Sequence, residues 1–393
     1  MTEPDGVAEP DGVAVTARDV FIVCNDVEGL GGVQRFARIL AAMLTGLGHR
    51  VRLVGITHPD EVHAYDDATY ETHVLHERRP PGPVHGRWWR RYRPGAVLRN
   101  ARRRAWVRRG ASSLSRLLST AAPGGVIVCP QVWAMEWVAA ADRHGMPVIG
   151  MSHESYAASK ATTRYARVKK HFAQADRLLL LTQADADAWA NDGMSNAGAM
   201  PNPVTIAPGR TSSLDAKVVI GLGRLSHEKG FDLLVEAWRL VARDHPGWTL
   251  RLYGSGPEED ALRRQASDAG IEGSVAFMGH TDDAAAALAG SSVLALPSRA
   301  EGWPLVLAEA MSVGVPCVAF DCAPSIREII ADGDDGFVVT SGNVASLAEA
   351  LQRVIADGEL RRAMGKRALV SVRRFTQDAV ALRWQRELDN LFR

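Results

Sequence analysis

Residues 217–230 read KVVIGLGRLSHEKG, an apolar run that ends in a glycine and is followed by two cations. After Lys217 the run carries no charge, and its length and branched side chains are typical of a strand buried on both faces. Similar apolar runs recur to its C-terminal side, at 249–253, 274–278, 293–296, 316–320 and 336–339. Helical windows separate these runs, and strands that alternate with helices predict a parallel sheet covered on both faces.

The first half repeats this alternation. DVFIVCN at 19–25 is followed by the glycine loop DVEGLGG at 26–32, and apolar residues then recur every three to four positions as far as Leu47. Such spacing indicates a helix, and HRVRLVGI after it indicates the next strand. Further strands are predicted at 125–129, 147–151 and 177–182. The fold class is therefore predicted to be α/β, with two Rossmann-like, doubly wound domains.

The length supports the same division. A chain of 393 residues has room for two domains of about 100–200 residues each. A direct repeat of EPDGVA near the amino terminus indicates a disordered tail, and a loop rich in Pro, Gly and Ser after residue 200 marks a domain boundary. The predicted parts are a disordered tail at 1–17, domains at 18–205 and 206–375, and an amphipathic helix at 376–393 that could pack back on the first domain.

Composition excludes several classes of protein. No window reaches the ~18 uninterrupted apolar residues that a bilayer crossing needs. No secretory signal is recognisable, so we expect a cytoplasmic protein with reduced thiols. The cysteines stand singly in or beside apolar runs, as buried hydrophobic residues do. They are Cys24, Cys129, Cys317 and Cys322.

Charge is distributed unevenly. Residues 1–200 carry 25 basic and 20 acidic side chains, whereas 201–393 carry 21 and 25. The segment from Arg78 to Arg109 has twelve arginines, no carboxylate and four aromatic residues. These are Trp88, Trp89, Tyr92 and Trp106. Such a segment suits an anionic membrane surface or the wall of an acidic or lipid-diphosphate acceptor site, and a solvated linker is the plain alternative. Nucleic acid is not an expected partner, because the rest of the chain has no excess of positive charge that would extend this basic segment.

Two loops of the second half have the chemistry to bind a diphosphate. Arg224 and Lys229 lie between a predicted strand and the following helix, and two fixed cations near a helix amino terminus form an anion site. In RLYGSGPEEDAL, Gly254 lets the backbone approach a flat ligand without interference from a Cβ.

A third loop carries two carboxylates. SRAEGWPLVLAEAM at 298–311 places Glu301 before a helix that begins near Pro304, and Glu309 about one turn inside it. Free amides at the start of that helix point towards a bound phosphate. One carboxylate can accept hydrogen bonds from both hydroxyls of a vicinal diol, so the pair could hold a ribose and a hexose.

Five motifs occur in order: GRLSHEKG, YGSGPEEDAL, VAFMGHTDD, PSRAEGWPLVLAEAMSVGVPCVAFD and EIIADGDDGFVV. Together they resemble the retaining glycosyltransferases of the GT-B class, family 4, which includes phosphatidylinositol mannosyltransferases and sucrose synthases. The resemblance covers about residues 19–45 and 200–393. It implies a GT-B fold with an interdomain cleft, an acceptor site in the first domain and a nucleotide-sugar site in the second.

The resemblance also implies residue roles. Arg224 and Lys229 would bind the donor diphosphate, Glu301 would face the donor sugar, and Glu309 would hold the ribose hydroxyls. His153, in the turn GMSHES, would touch the donor sugar near its anomeric carbon. The four catalytic residues would thus be His153, Glu301, Arg224 and Lys229. The other donor-binding positions would be Gly31, Gly32, Asn202, Gly254, the backbone at Met278, Gly302, Trp303, Pro304, Leu305 and Glu309.

The reaction that the resemblance implies retains the anomeric configuration by same-face displacement, with no metal and no cofactor. Asp185 and Asp187 form an Asp-any-Asp pattern, and we interpret them as acids at a helix start. The run DCAPSIREII at 321–330 is similar to a variant seen with UDP-galactose-type donors but departs from it at Ala323 and Ile326. A UDP-sugar is therefore favoured, and the hexose is left open.

The predicted function is transfer of a hexose from a nucleotide sugar to a glycan, glycolipid or lipid-linked acceptor in cell-envelope or exopolysaccharide biosynthesis, in the cytoplasm or at the inner face of the plasma membrane. The alternatives are a nucleotide-sugar epimerase, a phosphorylase on the same fold, and a non-catalytic nucleotide-sugar-binding homologue. Each site residue also has a non-functional interpretation. Arg224 and Lys229 could be solvated cations, and Glu301 and Glu309 could form a solvated helix face. His153 could be a structural turn residue, Gly31 and Gly32 could form an ordinary turn, and Trp303 could be a packing residue.

Overall fold

The structure is a computed structural model that describes residues 16–29, 31–59, 69–81, 94–206 and 209–393. The direct repeat at the amino terminus lies outside the described residues, as do Trp88, Trp89 and Tyr92 of the basic segment.

Strands and helices alternate along the described chain. The strands are β1 (Asp19–Cys24), β2 (Arg50–Thr57), β3 (Glu71–His76), β4 (Val126–Cys129), β5 (Val148–Ser152), β6 (Arg177–Leu180), β7 (Ala197–Ala199), β8 (Val218–Leu222), β9 (Thr249–Tyr253), β10 (Val275–Gly279), β11 (Val293–Leu296), β12 (Cys317–Phe320) and β13 (Gly336–Val339). The helices are α1 (Gly32–Gly46), α2 (Pro94–Leu118), α3 (Met135–Ala140), α4 (Tyr156–Lys160), α5 (Arg164–Phe172), α6 (Gln183–Asn191), α7 (Phe231–Ala242), α8 (Glu259–Asp268), α9 (Ala284–Ala289), α10 (Leu305–Ser312), α11 (Pro324–Ile329), α12 (Val344–Ala356), α13 (Gly358–Ser371) and α14 (Gln377–Asn390).

The strands form two sheets. The order in the first is β3-β2-β1-β4-β5-β6-β7, and in the second it is β10-β9-β8-β11-β12-β13. In both orders the chain runs outwards from a central strand, returns, and continues on the other side, as in doubly wound α/β folds. The predicted α/β fold with two Rossmann-like sheets is therefore confirmed.

The second sheet is buried on both faces. Val219 and Ile220 are adjacent on β8, so their side chains point to opposite faces. Val219 belongs to an apolar cluster with Trp238, and Ile220 belongs to another with Met311. The reversal of strand order falls between β8 and β11, and ligands of such sheets bind beyond the carboxyl ends of the strands at that point.

Contacts divide the chain into two compact units. The first comprises the described parts of 16–129 together with 136–148 and 385–393, and the second comprises 130–135 and 149–384. Within the first unit the end of α14 contacts the start of the sheet. Gln385 Oε1 lies 2.8 Å from His49 Nε2, and Arg18 forms an ion pair with Asp389 at 3.3 Å. The predicted domain boundary between residues 205 and 206 stays a prediction.

The basic segment continues into α2. Arg103 is buried in an ion pair with Glu136, and the Trp106 ring packs against the His76 ring at 4.8 Å between centroids. These contacts fix one side of the helix to the fold. Among the helices that the structure describes, none combines the length and apolarity that a bilayer crossing requires.

The cysteines are as expected from the sequence. Cys24, Cys129 and Cys317 are buried and Cys322 is half-buried, and none of the four forms a disulfide.

Candidate active site

The loops after β8 and β11 meet at the carboxyl edge of the second sheet. Gly230 ends the first loop with φ +66°, and a Cβ built on it would lie 2.1 Å from the carbonyl oxygen of Pro297 in the second. Only glycine allows this approach together with this backbone conformation. The two loops are therefore packed backbone against backbone.

A bidentate ion pair holds these loops in place. Arg299 donates to both carboxylate oxygens of Asp232, at 2.7 and 2.6 Å, and also to the carbonyl of His227 at 2.7 Å. Hydrogen bonds from the Arg299 guanidinium lower the pKa of the Asp232 carboxyl. Since fork-to-fork pairs of this kind are geometrically specific, Arg299 is a positioning residue for both loops.

The loop after β9 lies against the start of the loop after β8. A Cβ on Gly254 would be 2.0 Å from the carbonyl oxygen of Gly223, and the Gly254 amide donates to Gly279 at 2.7 Å. Arg224 follows Gly223 with an exposed side chain. In the part of the chain that the structure describes, its guanidinium has no hydrogen-bond or ion-pair partner, so it is available to an anion.

Lys229 and Glu301 form a direct ion pair across the two loops. Lys229 Nζ lies 2.7 Å from Glu301 Oε1, and the Ser298 hydroxyl donates to the same oxygen at 2.7 Å. The Glu301 side chain is 8% exposed and that of Lys229 is 32% exposed. Cys322 lies beside this pair: burial, and then the charge of Glu301, raise the pKa of its thiol to about 12, so the thiol stays protonated.

Helix α10 begins directly after this pair with free amides. Pro304 is its N-cap, and no side chain of the described residues caps the helix. Among the described residues, no acceptor binds the amides of Leu305 and Val306, which is the arrangement that attracts an anion. The Trp303 side chain is buried in the core, with its ring 5.1 Å from that of Phe375. Trp303 is therefore a packing residue through its side chain and can meet a ligand only through its backbone.

Glu309 lies within α10 and is 4% exposed. Its Oε1 accepts a hydrogen bond of 2.5 Å from the Thr205 hydroxyl. Asn202 is buried three residues before Thr205, and its Oδ1 has no hydrogen-bond partner among the described residues. Polar groups that stay buried without a partner are rare in folded proteins, so this oxygen is a candidate for binding water or a ligand.

His153 follows β5 and lies next to the α10 loop. A Cβ on Gly302 would be 2.1 Å from the carbonyl oxygen of His153. Burial of the imidazole, and then the positive charge of Arg164, lower the pKa of His153 to about 3. The imidazole is therefore neutral at physiological pH and can donate or accept a hydrogen bond without carrying charge.

The backbone at Met278 is free of the strand ladder. Phe277 of β10 pairs with Leu252 of β9, and Gly279 pairs with Tyr253, so Met278 is the extra residue of a bulge. A bulge leaves the backbone groups of its extra residue unpaired, which suits the predicted contact between this backbone and a base.

The remaining predicted positions lie elsewhere or have local roles. Gly31 and Gly32 lie in the first unit, at the N-cap and first residue of α1. Asp185 is buried at the start of α6 and accepts hydrogen bonds from the Tyr156 amide and the Thr182 hydroxyl, both at 2.7 Å. Asp187 accepts from Gln183 in the same helix. Asp185 lies in the first turn of α6, as the sequence predicted, and Asp187 follows two residues later.

Sequence reasoning missed Ser298, Arg299 and Thr205. Ser298 and Arg299 belong to the quoted motif, but neither spacing nor composition shows that their partners are Glu301 and Asp232. Thr205 is 104 positions from Glu309, and no local pattern signals a contact over that separation.

Residues 206–370 match the family described as glycosyl transferases group 1. An uncharacterized glycosyltransferase of Haemophilus influenzae is 32% identical over 212 residues, which are 53% of this chain and 60% of that protein. The chain thus spans well under the full length of that relative. A phosphatidyl-myo-inositol mannosyltransferase of Mycobacterium leprae is 28% identical over 362 residues, covering 89% of this chain and 91% of that one.

Solved structures are similar over nearly the whole chain. Anabaena Alr3699/HepE in complex with UDP superposes with a TM-score of 0.73 at 19% identity, covering 95% of this chain and 100% of that chain. At such low identity the likeness shows the fold, which agrees with the two sheets described above. The chain therefore has the GT-B fold, and its residues 206–370 are similar to the glycosyl transferases group 1 family.

Proposed function

We propose that the protein transfers a hexosyl group from a nucleotide sugar, with a UDP-sugar favoured, to a glycan, glycolipid or lipid-linked acceptor in cell-envelope or exopolysaccharide biosynthesis. The observation that carries this proposal is the meeting of Lys229, Glu301 and the free amides of α10 at the carboxyl edge of the second sheet. Two relatives support it, since one is named a phosphatidyl-myo-inositol mannosyltransferase and another is solved with UDP.

The donor would lie along this edge. Arg224, Lys229 and the amides of Leu305 and Val306 supply fixed positive charge and donors for a diphosphate. Glu309, inside α10, would accept the ribose hydroxyls. The unpaired backbone at Met278 can hydrogen-bond a base. The α10 amides and Glu309 are held by the fold before a ligand arrives, and such preorganisation lowers the entropic cost of binding.

The chemical step would rest on electrostatics. The bond between the anomeric carbon and the diphosphate oxygen breaks, and the acceptor oxygen bonds to the same face of that carbon. The acceptor proton passes to the departing diphosphate oxygen. Arg224 and Lys229 stabilise the negative charge that grows on the leaving group, a role that needs no metal. His153 is neutral and positions the sugar by hydrogen bonding.

A further part of the proposal concerns the membrane. Arg99, Arg102, Arg104, Arg108 and Arg109 are exposed on α2. None of the five makes an ion pair within the described part of the chain. Val97 and Leu98 are also exposed, at 48% and 54%. A helix face with cations and apolar side chains suits a bilayer that contains anionic lipids, where each cation contributes about 1 kcal/mol. We infer that α2 holds the protein at the inner face of the plasma membrane.

A donor screen tests the proposed function. The protein is incubated with UDP-, GDP- and ADP-sugars in excess EDTA, and release of nucleotide diphosphate is measured with and without glycan or lipid-linked acceptors. We expect release from a UDP-hexose. Conversion to an epimeric nucleotide sugar would instead identify an epimerase. Formation of hexose 1-phosphate from the glycan and added inorganic phosphate would identify a phosphorylase, and binding without turnover would identify a non-catalytic homologue.

A further inference from the structure

The charged groups assigned above to the diphosphate and to the sugar are bound to each other. Lys229 Nζ and the Ser298 hydroxyl both donate to Oε1 of Glu301, each at 2.7 Å. Glu301 is almost fully buried, whereas Lys229 is about one-third exposed. The ammonium can therefore turn towards an incoming anion, whereas most of the carboxylate is shielded from water.

This asymmetry determines what happens when a phosphate approaches. A phosphate competes with Glu301 for the Lys229 ammonium. If Lys229 moves to the phosphate, the buried carboxylate retains the Ser298 hydroxyl alone, and a buried charge that loses its counterion is strongly destabilised. Arg224 has no such competition, because it is exposed and has no ion-pair partner among the described residues.

A ligand can remove this penalty by supplying its own donors to Glu301. Neighbouring hydroxyls of a hexose can both donate to one carboxylate. A nucleoside diphosphate has phosphates but no hexose, so it attracts Lys229 and leaves Glu301 unsatisfied. When an intact nucleotide sugar binds, Glu301 loses the Lys229 ammonium as a partner and gains the hexose hydroxyls.

We infer that the Lys229–Glu301 ion pair discriminates between the intact nucleotide sugar and the nucleoside diphosphate product, favouring the first. This inference rests on the proposed function. It makes Glu301 a specificity-determining residue with two opposing effects: it strengthens binding of the donor through the sugar hydroxyls, and it weakens binding of the product through its hold on Lys229. Loss of the sugar at the chemical step therefore promotes release of the diphosphate.

The test is a pair of dissociation constants, for UDP and for the UDP-hexose that binds tightest in a panel of UDP-glucose, UDP-galactose and their N-acetylamino forms. They are measured by isothermal titration calorimetry on the full chain. In Glu301→Gln the carboxylate charge is gone, so UDP should bind roughly tenfold tighter than to the wild type. The UDP-hexose should bind more weakly, and the preference for donor over product should disappear.

Ser298→Ala provides the opposite change. It removes the second donor to Glu301 Oε1, so the carboxylate depends on Lys229 alone, and UDP should bind several-fold more weakly, by roughly the value of one hydrogen bond to a charged group. General damage to the fold cannot shift UDP affinity in opposite directions when Glu301 and its hydrogen-bond donor Ser298 are substituted in turn. Glu309→Gln is the matched control, because it removes a buried carboxylate from α10 without touching Lys229 and should weaken UDP binding.

The possible outcomes distinguish failure of this inference from failure of the proposed function. If the wild type binds neither UDP nor any UDP-hexose, the proposed function fails and the inference fails with it. If the wild type binds both, and Glu301→Gln leaves UDP affinity unchanged or lowers it, the inference alone is overturned.

Discussion

The backbone of Gly302 lies against the carbonyl of His153, with only 2.1 Å between that oxygen and the position a Cβ would take. This contact joins the turn after β5 to the loop that carries Glu301. It fixes the neutral imidazole relative to the Lys229–Glu301 pair, and it leaves no room for a side chain.

Gly302→Ala should therefore disrupt the site. Overpacking of this kind costs about 1–3 kcal/mol, and the displaced loop should lower the rate of transfer by about 100-fold. Denaturant unfolding and diphosphate release measure the two effects. Gly273→Ala is the control, since no atom of the residues that the structure describes lies within 4 Å of a Cβ at that position, and it should change neither. Wild-type activity in Gly302→Ala would show that this contact does not position the site.

Lys229 should be needed for the chemical step. Lys229→Met keeps the length of the side chain and removes its charge, so kcat should fall by about 100- to 1,000-fold, as for loss of a charge-stabilising donor. Lys217 lies just before β8, at the end of the strand opposite to the loop that carries Lys229, and its side chain is exposed. Lys217→Met is expected to retain full activity in the same diphosphate-release assay. Equal rates for the two variants would contradict the placement of the diphosphate.

Because of His153, the free energy of unfolding should decrease as the pH is lowered. Its pKa in the folded protein is about 3, below the value of about 6.5 in an unfolded chain. Between these values the unfolded state binds a proton that the folded state does not, so the His153 contribution to stability is full above about pH 6.5 and is lost as pH falls towards 3. Urea unfolding at pH 7.5 and 5.5 should show a smaller difference in His153→Gln than in the wild type. An unchanged difference would mean that the imidazole titrates normally.

The α2 surface should govern membrane binding. Arg102→Glu/Arg104→Glu should reduce flotation with liposomes that contain anionic lipid, because each exposed cation contributes about 1 kcal/mol at such a surface. Arg243 and Arg264 are exposed in the second unit, and reversing both there matches the change in net charge. If the two double variants floated equally, α2 would have no specific role.

The sequence predicted the second sheet more accurately than the site. The strands at 249–253, 293–296 and 336–339 match residue for residue, because apolar runs bounded by turn residues leave little choice of boundary. β3 and β7 were missed. β3 begins with exposed Glu71 and Thr72 at the sheet edge, and β7 has only three residues, so neither has the pattern of a buried strand.

For the site, order along the chain indicated which loops converge but not how their side chains pair. Lys229 and Glu301 were expected to meet different parts of one ligand, yet they bind each other in the protein alone. Pairing of side chains 72 positions apart depends on rotamers and loop geometry, which no local pattern encodes. The same holds for the bidentate ion pair between Arg299 and Asp232.

The most direct test of the donor site is a crystal structure of the protein soaked with the UDP-hexose identified by the donor screen. We expect the diphosphate within hydrogen-bond distance of Arg224 and of the Leu305 and Val306 amides, the ribose hydroxyls on Glu309, and the hexose hydroxyls on Glu301. A nucleotide bound at any place other than the carboxyl edge of β8 and β11 would contradict this account.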